Sequence, residues 1–189
     1  MGPSEYVLVF VSIILGLGIG DMLISLHRLL RQGRRVRWDW AAPWAALIVI
    51  LLNVMTWWSL FPRGKDGPAT IAGFLPLLVT LILLFLLSAA ALPDEASEDR
   101  LDLKVYYEGN RRYFWSLMSL VFAWNIAHDV IAQVTNGQPL LAVLADRPLD
   151  LVVLALFVSL IFVRQRWWHA LVLLLAMVGP VAWLSRRVG

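Results

Sequence analysis

From Ile71 to Leu92 the chain carries no charged side chain, and from Pro3 to Gly20 its only charge is Glu5. Apolar runs of this length constrain the fold more than any motif, because a small water-soluble domain has too little interior to hide them. A bilayer accepts them. Its hydrocarbon core of about 30 Å is crossed by about 20 helical residues, with every backbone N–H and C=O paired inside the segment. Composition agrees: of 189 residues, 60% are hydrophobic and 15% charged, against about 45–50% and about a quarter in ordinary globular domains. The pattern excludes a soluble globular enzyme, a nucleic-acid module and a disordered tail. It leaves a small multi-pass membrane protein.

Six spans are expected, at 5–30, 40–61, 68–92, 113–134, 148–163 and 167–184. Together they make one all-α transmembrane domain. The fifth is short, and only Arg164-Gln165-Arg166 separates it from the sixth. Tryptophans mark several span ends: Trp38, Trp40 and Trp44, then Trp57 and Trp58, then Trp167 and Trp168. An indole sits well at the headgroup level, its ring in the apolar slab and its N–H in water. The polar segment 93–112 reads as a loop, with Ser97 as a helix N-cap. Its alternation of Leu101, Leu103, Val105, Tyr106 and Tyr107 with Asp102, Lys104 and Glu108 suits an amphipathic helix lying on the membrane face.

Lysine and arginine set the orientation. Loops one, three and five, with Arg28, hold eleven of them against five in the other connections and the tail. The positive-inside rule then places both termini outside the cytoplasm. Anionic lipid or a cytoplasmic protein would meet Arg28, Arg31, Arg34, Arg35, Arg37, Arg111 and Arg112. With no cysteine in the chain, disulfides and thiolate metal sites are ruled out. No metal site, cofactor or nucleic acid is expected.

Polar side chains inside spans are costly, so each is a candidate site. Asp21, Asn53, Asn125, His128 and Asp129 form the set. At about 1.5 Å rise per residue, Asp21 lies roughly 5 Å inward of the midplane and His128 and Asp129 roughly 8 Å outward. Asn53 and Asn125 fall between. Such a discontinuous track could carry a small ion or solute, and that is the leading functional expectation. Helix-bridging roles for the same residues are the plain alternative. A second class of function is a non-enzymatic scaffold or sensor working through the basic loops.

Ser12, Gly16 and Gly20 recur at four-residue spacing, a row that lets two helices approach closely, within one chain or in a homo-oligomer. Gly18-Ile19-Gly20-Asp21 reads G-x-G-D, resembling the string of intramembrane aspartyl proteases, with Asp129 as the other acid. The order of the two aspartates is reversed from those families, and the depth estimate separates them by roughly 13 Å, too far to share a proton.

The opening Glu5-Tyr6-Val7 through Val11-Ser12-Ile13-Ile14-Leu15-Gly16-Leu17 is distinctive. So are Arg34-Arg35-Val36-Arg37-Trp38, Thr56-Trp57-Trp58, Leu92-Pro93-Asp94, and Tyr106-Tyr107 followed by Asn110-Arg111-Arg112-Tyr113-Phe114. Together they resemble a group of uncharacterised bacterial inner-membrane proteins of about this length. The resemblance implies a location and supplies no activity.

Overall fold

The structure, a computed structural model, describes residues 3–60, 71–94 and 101–184. Within them the chain is all-helical apart from turns and a two-residue bridge. The helices are α1 (Pro3–Gln32), α2 (Ala41–Leu60), α3 (Ile71–Ala89), α4 (Leu103–Thr135), α5 (Leu140–Ala145), α6 (Pro148–Phe162) and α7 (Arg166–Leu184). Four of them, α1, α2, α4 and α7, are long and apolar enough to cross a membrane, while α3 and α6 are shorter apolar helices.

Local chemistry explains the boundaries. α1 stops where Gly33 takes φ +54°, a left-handed conformation that a β-carbon disfavours. A short 3₁₀ turn, Gly33–Arg35, follows it. α2 starts where Asp39 accepts the backbone N–H of Ala41 at 3.1 Å. α4 is capped by Asp102, whose carboxylate accepts the N–H groups of Lys104 and Val105 at 2.9 and 3.4 Å. Pro148 opens α6 at a position where a missing N–H costs nothing.

The largest departure from the sequence reading is in α4. Its helix begins ten residues before the expected Tyr113 and runs 33 residues unbroken, or about 50 Å. Residues 103–112 are therefore the first turns of α4, rather than a loop or a separate helix. The expected cap at Ser97 lies outside the described residues.

α2 is the centre of the bundle, touching α1, α3, α4 and α7. Its buried face carries Ala41, Ala42, Ala45, Ala46, Ile48, Val49 and Asn53. Small residues there allow the close backbone approach that helix association in lipid depends on. α4 packs most extensively on α6, and α1 on α3. Trp115 is fully buried in this core, stacked near Phe157 with ring centroids 5.5 Å apart.

Contacts sort the helix termini into two ends. At one, Arg28 donates to the Asp94 carbonyl at 2.9 Å and Ser25 to the Asp94 carboxylate at 3.3 Å. At the same end Val36–Arg37 (β1) pairs in parallel with Leu101–Asp102 (β2), and Arg37 meets Asp102 at 3.2 Å. Arg166 at the start of α7 pairs with Asp39 before α2. At the other end Phe10 meets Phe74, Trp58 meets Trp183, and Asp129 of α4 meets Arg147 before α6. Excluding the short α5, successive long helices thus run in alternate directions.

Candidate functional site

The five mid-span polar residues fall into separate places. Asn53 is fully buried and donates to the Val49 carbonyl at 2.8 Å and to Ser88 Oγ at 3.1 Å. Ser88 in turn donates to the Leu84 carbonyl at 2.8 Å, so this pair ties α2 to α3. Asn125 donates to its own helix, at the Val121 carbonyl, and borders a groove of about 300 Å³ between α2, α3 and α4. His128 and Asp129 are exposed, and Asp129 is held by Arg147 at 3.1 Å and faces His128 at 3.8 Å. Asp21 is half-buried on α1. Among the described residues no hydrogen bond or ion pair joins any two of these four places.

The close helix approach is at a glycine the four-residue row did not include. A β-carbon on Gly18 would stand 3.1 Å from Ser88 Oγ and 3.3 Å from Ser88 Cβ. One on Gly16 or Gly20 would meet nothing within 4 Å. Within the chain, then, Gly18 is a close α1–α3 approach, while Ser12 accepts the Trp57 indole N–H at 2.9 Å. Gly18, Ser88 and Asn53 make one polar knot where α1, α2 and α3 meet.

The second concentration of polar atoms is at the arginine-rich end. A cavity of about 420 Å³ there is lined by Trp40, Ala41, Tyr107, Glu108, Gly109, Arg111, Arg112, Arg164, Arg166 and His169. It is made by the first turns of α4, the α6–α7 link and the start of α2. Its back wall is a fixed chain of donors and acceptors. Trp115 Nε1 donates to the Tyr107 hydroxyl at 3.0 Å, and that hydroxyl meets His169 Nδ1 at 2.7 Å. His169 Nε2 faces the Val163 carbonyl at 2.9 Å. A carbonyl only accepts, so Nε2 carries the proton, Nδ1 accepts, and Tyr107 donates to it.

Val163 also receives Arg111 Nη1, so two side chains hold the carbonyl that ends α6. Arg111 is only 6% exposed. This corrects its expected place among the surface arginines facing lipid. Arg28, Arg31, Arg34, Arg35, Arg37 and Arg112 are exposed. Around Arg111 stand the like charges of Arg164 and Arg112. Arg166 is differently placed: it pairs with Asp39, lies 3.6 Å from Glu108, and covers the Trp40 ring at 5.6 Å.

The sequence named Arg111 and Arg112 but not Tyr107, Trp115, Val163, Arg164, Arg166 or His169 as one site. Tyr107, Arg111 and Trp115 share a helical face at four-residue spacing, which was the one local signal. The join to Val163 and His169 spans more than fifty residues of sequence. No known protein family, curated protein or solved structure matches this chain.

Proposed function

We propose that the chain is a six-pass inner-membrane protein, with both termini periplasmic, that acts as a non-enzymatic sensor or scaffold. Its arginine-rich end faces the cytoplasm and engages anionic lipid. One observation carries this reading: loops one, three and five converge on one end, where four arginines and one carboxylate line a single cavity. Exposed arginines of the first loop are at the same end, and the anionic surface of an inner leaflet attracts each basic residue near it by about 1 kcal/mol.

The test has two parts. Reporter fusions at each terminus should report the periplasm, and a cytoplasmic signal from either would overturn the topology. Protein in nanodiscs of mixed composition should retain anionic lipid over zwitterionic lipid on native mass spectrometry. Equal retention would end the lipid reading.

A second reading, passage of a small ion or solute along Asp21, Asn53, Asn125, His128 and Asp129, draws on one feature. Asn53 Oδ1 is buried with no hydrogen-bond partner, an acceptor left over at mid-span. Proteoliposome flux that is present and falls in Asp21→Asn and Asp129→Asn would favour it. Absent flux, or flux indifferent to both changes, would remove it.

A further inference from the structure

Resting on the anionic-lipid reading, we propose that the cavity is a discrete receptor for one phosphate monoester, gripped by Arg111, Arg112 and Arg164. Charge is the first argument. Arg166 is neutralised by Asp39 and faces Glu108. Among the described residues no carboxylate lies within ion-pair distance of Arg111, Arg112 or Arg164. Arg111 is thus held beside the like charges of Arg164 and Arg112, offset in part by Glu108, the one acid in the lining. An anion that enters relieves that repulsion.

Valence decides which anion. A phosphate monoester carries about −1.5 to −2 charge near neutral pH and three strong acceptor oxygens. A diester headgroup carries one charge, and a carboxylate offers two oxygens. Guanidinium forks match the tetrahedral oxygens of phosphate in pairs, as a compact ammonium does not.

Preorganisation is the second argument. Arg111 spends one N–H on Val163, which fixes its plane and leaves its remaining donors unassigned. Tyr107 and His169 have no O–H or N–H left to donate to an anion, since each already donates within the wall. They are positioning residues, and the arginines are the binding groups. The cavity, at about 420 Å³, is within the range of about 300–1,000 Å³ typical of small-molecule sites. A phosphate leaves room in it for the first atoms of whatever it esterifies. Those atoms could belong to a lipid or to a soluble metabolite, so the experiment separates the two sources.

Full-length protein in phosphatidylcholine nanodiscs doped equally with phosphatidic acid, a monoester, and phosphatidylglycerol, a diester, would be read by native mass spectrometry. Phosphatidic acid should be retained about tenfold over phosphatidylglycerol, a difference of about 1.4 kcal/mol. The double variant R112Q/R164Q changes two exposed side chains, so it should fold, and it should abolish the preference. R112K/R164K, with charge but no forks, should keep only part of it. Adding inorganic phosphate or glycerol 3-phosphate identifies the source. Displacement of the lipid marks a soluble ligand, whereas indifference marks the lipid headgroup. Both results require the monoester preference first. Equal retention of the two lipids, or a preference untouched by R112Q/R164Q but lost in R31Q/R34Q/R35Q, would overturn the monoester site while leaving anionic-lipid binding standing. Loss of all anionic enrichment in the unaltered protein would overturn both.

Discussion

The knot at Gly18, Asn53 and Ser88 and the cavity at Arg111 are both polar, but they solve opposite problems. In the knot, Asn53 Nδ2 and the Ser88 hydroxyl are buried among apolar helices with neutral partners. Asn53 and Ser88 supply short hydrogen bonds, and Gly18 supplies the space for them. In the cavity, charge is collected beyond what the protein itself neutralises. Arg166 has its acids, while Arg111 has Arg164 and Arg112 beside it, with Glu108 a partial offset outside ion-pair distance. Mid-span polarity here is consistent with packing, because an unmated charge in lipid would cost several kcal/mol. Unmated charge is affordable at the interface, where water and headgroups reach it.

That contrast can be broken by substitution, beginning with the most severe change. Arg111→Leu should destabilise the protein by about 2–4 kcal/mol, since it removes a buried charged donor from Val163 and leaves His169 alone to hold the end of α6. Thermal unfolding in detergent checks this, and an unchanged midpoint would mean that the link is held by packing alone. Gly18→Val comes next. It drives a branched side chain into Ser88 and should cost about 1–3 kcal/mol, whereas Gly16→Val, facing open space, should be silent in the monomer. Equal effects from the two would contradict the contact at Gly18.

Tyr107→Phe should cost about 1–2 kcal/mol, because the Trp115 N–H and His169 Nδ1 each lose the same hydroxyl. His169→Gln in that background should then add less than it does alone, which a double-mutant cycle would show as coupling. Ser88→Ala should cost about 0.6 kcal/mol, the usual scale of an interhelical hydrogen bond in lipid, since Asn53 keeps Val49. The smallest effect belongs to Asp129→Asn. Its pair with Arg147 is exposed, and such pairs contribute about 0–1 kcal/mol. A large loss there would show that the end opposite the arginines carries more of the fold than its exposure implies.

How much was legible in the sequence follows from where each signal lives. The apolar blocks announced helices, because a bilayer-length run without charge has few other fates. Capping was legible at Asp39, an acid just before an apolar run, but not at Asp102, which the sequence reading took as part of the polar alternation while it placed the cap at Ser97. The start of α4 was missed because 103–112 is rich in charge, which argues against a span but not against a helix that projects beyond one. Gly18 was passed over because small-residue spacing says that a helix can be approached, not which of its faces is. Arg111 and Arg112 are adjacent and chemically alike in the sequence. One is buried and the other exposed only because successive residues on a helix point about 100° apart.

The sequence by itself determined the solvent: hydrophobicity in uncharged runs is a property of the chain that no folding changes, and it dictates helices in a membrane. It also determined that arginines gather in the first, third and fifth connections. Only the tertiary structure decided that these connections meet, and that α4 reaches far enough to place Tyr107 and Arg111 against Val163 and His169. Partner choice at that range depends on which helices pack together. Close packing is settled by the fit of small faces such as the alanine row of α2, a three-dimensional match that a linear pattern does not encode.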